Sequence, residues 1–141
     1  MGWIIFLGNS LISCKTKRQH IVVSRSSAEV EYYSMAMTTC ELKWLKGILS
    51  SLNVIHTTSM LLHCESQAAL HISQNPVFHD RTKHIEVNSH FVCDAFVIRD
   101  IRPNFVPTNE QLVDIFTKAL EKQQYYFLLR KLGIRDLHTS T

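Results

Sequence analysis

Long apolar runs, paired cysteines and a strong net charge of either sign are all missing from this 141-residue chain. The apolar stretch near the start, Trp3–Leu7, is far too short to span a bilayer, which takes about 20 residues. A signal peptide needs a preceding positive charge, a longer apolar core and a small-residue cleavage site, and none of these is clear. We therefore expect neither a transmembrane segment nor a membrane partner.

The four cysteines, at positions 14, 40, 64 and 93, form no close pair and no zinc-ribbon spacing. Three of them lie inside apolar patterns. These features disfavour a disulfide framework, and we expect reduced, buried thiols in an intracellular protein. They do not distinguish the cytoplasm from the nucleus.

The charge balance is only mildly basic, with a net charge of +3 and an isoelectric point near 8.7. It permits a nucleic-acid partner but falls short of the strongly basic signature of dedicated nucleic-acid-binding proteins. The length and the hydrophobic content of 45% are those of one domain that buries a core.

Turn and periodicity signals predict the order β-β-α-β-α-α-β-α, in one α/β domain with a mixed sheet. Gly8-Asn9 predicts a hairpin between Trp3–Leu7 and Leu11–Ser13, and a capping-box pattern, Ser26 to Glu29, predicts a helix from Ser27 to about Leu52. The remaining predicted elements are a strand at Leu61–Cys64, a helix from Ser66 to about Gln74, a helix within 79–97, an extended segment over 101–108 and a last helix over 108–133.

One acid lies at the head of an apolar helix face. Residues at three- and four-residue steps share one face of the first helix: Glu31, Met35, Thr38, Leu42, Leu45 and Leu49. An ionised carboxylate on such a stripe is costly unless a cation satisfies it, and a divalent metal is a good candidate. Glu29 has a structural explanation as the capping partner of Ser26, so Glu31 is the preferred functional acid.

Two further acids are candidates. Glu65 follows a predicted strand, and Asp114 lies early in the last predicted helix. Glu65 comes directly after the predicted strand Leu61–Cys64, at the strand end where α/β proteins bind ligands, although a solvated residue after a buried strand explains it equally well. Asp114, taken alone, reads as an exposed acid near a helix N-terminus. Together with Glu31 they form the kind of carboxylate set that a two-metal phosphodiesterase requires.

Four blocks of sequence carry a resemblance to a known family: "SRSSAEVEYYSMA", "LKWLKGIL", "NPVFHDRTKHIEVNSHF" and "VPTNEQLVDIFTKAL". They resemble the ribonuclease H segment at the end of copia-type LTR-retrotransposon polyproteins. The resemblance runs from about Gly2 to Gly133. It implies a ribonuclease H-like mixed β-sheet with flanking helices over residues 2–133, followed by a tail over 134–141.

The resemblance also implies an activity, a cofactor and partners. In intact members the expected reaction is Mg²⁺-dependent hydrolysis of RNA paired to DNA, by a domain that follows an integrase and a reverse transcriptase. The family's catalytic and metal-binding acids map onto Glu31, Glu65 and Asp114. The expected partner is an RNA/DNA hybrid or duplex nucleic acid.

This sequence departs from the family pattern at three places. Glu65 and Ser66 stand where intact members have Asp and Asn after a cysteine. A first strand carrying the leading catalytic Asp is expected before Gly2 and is absent from these 141 residues, and Cys14 stands where the family has an aromatic residue. We therefore expect an impaired ribonuclease H, or alternatively a non-catalytic remnant that binds nucleic acid weakly.

Basic and aromatic residues allow two interpretations each. The candidates for phosphate contacts are Lys15, Lys17, Arg18, Arg81 and Lys83, and a solvated basic face explains each equally well. The spacings of His79, His84 and His90 match no standard zinc pattern, so a structural role is favoured. The run Tyr125–Leu129 is interpreted as core and surface of the last helix rather than as a base-stacking platform.

Overall fold

A computed structural model describes residues 1–17, 27–75 and 86–134, with the backbone alone over 86–90. The chain divides into two compact units. The hairpin unit comprises Met1–Gln19 and Pro107–Thr141, and the helical unit comprises His20–Val106. Each has its own buried side chains and its own pair of strands.

The hairpin unit begins with strands β1 (Gly2–Leu7) and β2 (Ser10–Thr16), which pair antiparallel. The two-residue turn between them confirms the hairpin predicted at Gly8-Asn9, and Gly8 has a φ of 60°, a left-handed conformation that glycine adopts without strain. Along β1, Trp3 and Ile5 are buried and their neighbours less so. This alternation is expected of a strand with one covered face.

The rest of the hairpin unit corrects the prediction of one continuous helix over 108–133. The segment forms a 3₁₀ turn (Thr108–Glu110), a single-turn helix α4 (Asp114–Thr117) and helix α5 (Lys122–Lys131). Between α4 and α5 the backbone is extended at Lys118 and Glu121. The helix propensity of this stretch is good, so local preference does not account for the break.

The start of β1 and helix α4 lie close together within the hairpin unit. A Cβ atom built on Gly2 would lie 2.7 Å from the Lys15 carbonyl oxygen and 3.3 Å from methyl groups of Val113 and Thr117. The close approach leaves little room for a side chain at position 2. Gly133, predicted as a C-terminal cap, has a φ of 72° directly after the last helical turn, as such a cap requires.

The helical unit is built on the long helix α1 (Ser27–Ser51), whose bounds agree with the predicted Ser27 to Leu52. Ser26, the predicted capping residue, lies outside the described residues. The buried residues of α1 are Tyr32, Met35, Ala36, Thr39 and Leu42. This face is rotated slightly from the predicted stripe, so Glu31 lies at the edge of the buried face, half-buried, rather than at its centre.

Strands β3 (Met60–Cys64) and β4 (Ile101–Phe105) of the helical unit pair in parallel, with Met60 opposite Ile101 and Cys64 opposite Phe105. Helices α2 (Gln67–Gln74) and α3 (Glu86–Val97) connect them, in agreement with the predicted order. Leu62 and Cys64 point inward from β3 while Leu61 and His63 are exposed.

The described strands thus form two separate two-stranded sheets, one antiparallel and one parallel, where the sequence predicted a single mixed sheet. The mixed α/β class with flanking helices is confirmed. The thiols are unpaired as expected, but Cys14 and Cys40 are exposed, so burial was correctly predicted only for Cys64 and Cys93. No helix in the described part of the chain is long and apolar enough to cross a bilayer.

Candidate functional site

The end of strand β3 brings two of the three predicted acids to one buried sulfur atom. Cys64, the last residue of β3, has a solvent exposure of 0%. Its Sγ lies 3.5 Å from Glu31 Oε1 on helix α1 and 3.6 Å from the Ser66 carbonyl oxygen, and it can donate its proton to either. The Ser66 N–H in turn donates to Sγ at 3.4 Å. Cys64 therefore links the first turns of α1 to the residues that follow β3.

The pKa of the Cys64 thiol reflects its burial and the negative charges near it. Burial raises the pKa of the Cys64 thiol to about 12, and the negative charges of Glu31 and Glu65 add to the effect. A thiol with such a pKa is neutral at pH 7 and is a poor nucleophile and metal ligand, since both roles need the thiolate. Cys64 thus acts here as a neutral hydrogen-bond donor to the Glu31 carboxylate or to the Ser66 carbonyl oxygen.

Glu65 occupies the bend between β3 and α2 and is half-buried. The next residue, Ser66, is the N-cap of α2 and accepts a hydrogen bond from Ala69 N at 3.1 Å. The Val106 N–H donates to the Cys64 carbonyl oxygen at 2.9 Å, which extends the β3–β4 pairing to this end. Glu65 therefore lies at the carboxyl end of a parallel strand pair, the position at which open α/β sheets bind ligands.

Asp114 is the first residue of α4 in the hairpin unit and is only 3% exposed. Lys118 Nζ lies 3.0 Å from its Oδ2. The expectation that Asp114, taken alone, is an exposed acid is therefore wrong, because this carboxylate is buried and has a cationic partner one turn later. That the three carboxylates share one site stays a prediction.

The donor set near Cys64 suits a hard cation better than a soft one. Carboxylate oxygens such as those of Glu31 and Glu65 are the ligands that Mg²⁺ prefers, whereas soft metals prefer thiolates. No group of three or more His, Cys, Asp or Glu side chains placed to hold a metal ion occurs within the described parts of the chain. Glu31 and Glu65 thus carry donor atoms of the kind that Mg²⁺ prefers, and the metal site itself stays a prediction.

The predicted phosphate contacts lie partly within the described residues. Lys15, on β2, is exposed and places its Nζ 5.5 Å from the ring centroid of Trp3, and Lys17 directly after β2 is also exposed. Arg18, Arg81 and Lys83 lie outside the described residues, as do the side chains of His79, His84 and His90.

One feature of functional interest was not predicted. The hydrogen bond between Cys64 and Glu31 was missed, although strand alternation places Cys64 inward and directly before the candidate acid Glu65. The run Tyr125–Leu129, predicted to be core and surface of the last helix, has Leu128 buried and Tyr125, Tyr126 and Phe127 exposed.

Comparison with known proteins finds relatives along nearly the whole chain. It is 36% identical over 133 residues to the retrovirus-related Pol polyprotein from transposon RE1 of Arabidopsis thaliana, and 37% identical over 133 residues to that from transposon RE2 of the same plant. The retrovirus-related Pol polyprotein from transposon TNT 1-94 of Nicotiana tabacum is 29% identical over 135 residues.

These alignments cover 94–96% of the chain but only 9–10% of each relative. No family model and no solved structure matches the chain. The chain is therefore homologous to one short segment of transposon Pol polyproteins and is related to retroelements.

Proposed function

We propose that the chain is the ribonuclease H-like segment of a copia-type retrotransposon Pol polyprotein, with impaired metal-dependent hydrolysis of RNA in RNA/DNA hybrids. The observation that carries the proposal is the contact of Glu31 with Cys64, the residue directly before Glu65 at the carboxyl end of β3. Homology to Pol polyproteins over 94% of the chain supports it.

In this proposal Glu31, Glu65 and Asp114 are the acids that would hold Mg²⁺. The bound cation would polarise a phosphoryl oxygen and lower the pKa of a water molecule. Cys64 can orient the Glu31 carboxylate by donating a hydrogen bond to Oε1 at 3.5 Å. Lys118 balances the charge of Asp114 and would have to yield part of that contact when a cation binds.

The proposed impairment rests on the length of one side chain. Glu65 is one methylene longer than the aspartate that the family resemblance implies at this place. A displacement of about 1 Å in a catalytic group costs on the order of 100-fold in rate. The longer side chain therefore keeps a carboxylate in the region while moving it from the productive position.

The test is cleavage of a labelled RNA/DNA hybrid in Mg²⁺ and in Mn²⁺ by four versions of the full chain. We expect little turnover by the parent chain and a gain in rate of up to about 100-fold in Glu65→Asp. We expect no turnover by Glu31→Gln, a variant that keeps the side-chain oxygen to which Cys64 donates. Glu29→Gln is the matched control on the same helix turn and should behave as the parent. Rapid turnover by the parent chain would overturn the proposed impairment.

Metal binding gives a second readout that does not depend on catalysis. Titration with Mn²⁺, followed by its paramagnetic signal, should show weaker binding by Glu31→Gln than by the parent, with Glu29→Gln unchanged. Equal affinities in all versions, together with no gain of cleavage in Glu65→Asp, would contradict the assignment of these acids.

A second candidate function is a non-catalytic remnant that binds nucleic acid through its phosphates. The exposed Lys15 and Lys17 favour it. With about three to five phosphate contacts and a log–log slope of roughly −0.9 per contact, raising salt from about 50 to 200 mM should lower duplex affinity by about one and a half to three decades. Changing Lys15, Lys17 and Arg18 together to Ala should reduce that slope, and an unchanged slope would exclude this surface.

A further inference from the structure

Helix α5 of the hairpin unit exposes three aromatic rings, those of Tyr125, Tyr126 and Phe127, in a run that the sequence pattern assigned in part to the core. Among Lys122–Lys131 only Leu128 is buried, and Leu132 follows it one turn later. Tyr126 and Phe127 are 50% and 43% exposed. Single exposed apolar side chains are common, but neighbouring aromatic rings with cations beside them offer a surface on which a ligand can stack.

The rings of Tyr126 and Phe127 lie between cations on two adjacent stripes of the helix. Residues four apart lie above one another on a helix face, which defines the stripes Lys122–Tyr126–Arg130 and Gln123–Phe127–Lys131. All six residues are exposed, and we call them the aromatic-basic face. It carries three cations and no acid, with both rings in its middle turn.

Local contacts give the face a defined arrangement. Lys131 Nζ lies 4.9 Å from the Phe127 ring centroid and 3.4 Å from Glu110 Oε2. The ring of Tyr126 packs edge to face with Tyr125, with centroids 5.6 Å apart and an angle of 74° between the planes. These neighbours restrict the two rings, so less conformational entropy is lost when a ligand stacks on them.

We propose that the aromatic-basic face binds single-stranded nucleic acid. Exposed rings stack on unpaired bases of any sequence, and cations beside them contact the phosphates. A duplex keeps its bases stacked on each other, so it offers phosphates to Lys122 and Arg130 but no base face to Tyr126 and Phe127. The face uses no residue of the proposed acid site, so the inference stands apart from the catalytic proposal.

The test is fluorescence anisotropy of labelled twelve-nucleotide dT and rU strands with the full chain. Replacing both rings, Tyr126→Leu with Phe127→Leu, should weaken binding by roughly 30-fold or more, since each ring stacks one base and stacking contributes about 1–3 kcal/mol per base. Leucine keeps an apolar helical residue, and an unchanged thermal midpoint would confirm that the variant folds. Trp44→Leu is the matched control, because Trp44 is a helical ring that is 61% exposed in the other unit.

The cations are tested separately by salt dependence. Lys122→Gln with Arg130→Gln should make the log–log slope for single strands less negative by about 1.4, since each lost phosphate contact contributes roughly 0.7. Three results would overturn the proposal. They are parent-like binding by the folded double-leucine variant, an equal loss in Trp44→Leu, and duplex binding as tight as that of single strands, which would indicate contacts with phosphates alone.

The catalytic proposal and this inference fail in different ways. Glu31→Gln should lose any hybrid cleavage and keep single-strand binding. The double-leucine variant should lose single-strand binding and keep the Mn²⁺ affinity of the parent chain. If cleavage is absent from every version, the loss of binding in the double-leucine variant still supports the aromatic-basic face.

Discussion

Alkaline pH should destabilise this protein through the buried thiol of Cys64. The sulfur atom has no solvent exposure and lies beside Glu31 and Glu65. Ionising it would place a third negative charge in a poorly solvated site, so the folded state holds the protonated form. The unfolded chain has no such restraint, and its thiol ionises at the ordinary pKa.

The size of the effect follows from the two pKa values. A rise from the ordinary 9.0 to about 12 corresponds to roughly 4 kcal/mol between the two protonation states. Because the folded pKa is the higher one, this contribution is fully present below pH 9 and is lost as the pH rises towards 12. The free energy of unfolding should fall by up to about 1.4 kcal/mol per pH unit in that window.

The assay is urea unfolding at several values between pH 8 and 11, with Cys64→Ala compared to the parent. The variant should be less stable at pH 8 by about 1–2 kcal/mol, because it loses a buried atom and the hydrogen bond to Glu31. The free energy of unfolding of the variant should decline less steeply with pH than that of the parent. Some decline will remain, because burial also raises the pKa of Cys93 and of Tyr32.

Thiol labelling gives an independent measurement on the folded protein. At pH 8 the exposed Cys14 and Cys40 should react quickly, and Cys64 and Cys93 only upon unfolding. Cys40→Ala is the control, since it removes an exposed thiol and should leave the pH dependence of stability unchanged. Fast labelling of Cys64 in the folded protein would refute the reasoning. So would an equal fall of the free energy of unfolding with alkaline pH in the parent and in Cys64→Ala.

Two further perturbations test contacts beside the predicted acids. Ser66→Ala should lower stability by about 0.5–2 kcal/mol in chemical denaturation, because Ala69 N loses its capping acceptor, whereas Ser66→Asn keeps a capping oxygen and should cost little; equal losses would argue against the cap. Lys118→Met should cost about 1–3 kcal/mol, below the range for a fully buried pair, because Lys118 is itself 44% exposed; an unchanged thermal midpoint would show that Asp114 does not depend on this partner.

Local chemistry made the hairpin and the long helix predictable from the sequence. Gly8 permits the left-handed turn between two apolar runs, and the periodicity after Ser27 is long enough to define α1 within a residue at each end. The break between α4 and α5 was not predictable in this way. Lys118 and Glu121 are good helix formers, so local propensity gives no signal for their extended backbone.

The candidate site likewise has features that the local sequence predicts and features that it does not. Strand alternation places Cys64 inward and the turn after it at a strand end, so the position of Glu65 follows from the sequence pattern. The pairing of Asp114 with Lys118 was predictable from their i, i+4 spacing. The burial of Asp114, which strengthens the pair, was not predictable. Contact between Glu31 and Cys64 joins residues 33 positions apart, which no local pattern encodes.

The acids and the aromatic-basic face place different demands on the protein. Glu31 and Glu65 place negative charge near one buried sulfur atom, and like charges close together repel each other. The rings of α5 require only that Leu128 and Leu132 be buried so that the helix keeps its orientation within the hairpin unit. A small shift of one carboxylate is enough to impair catalysis, whereas stacking and phosphate contacts tolerate such shifts. Binding of single strands can therefore persist in a chain whose acids no longer support hydrolysis.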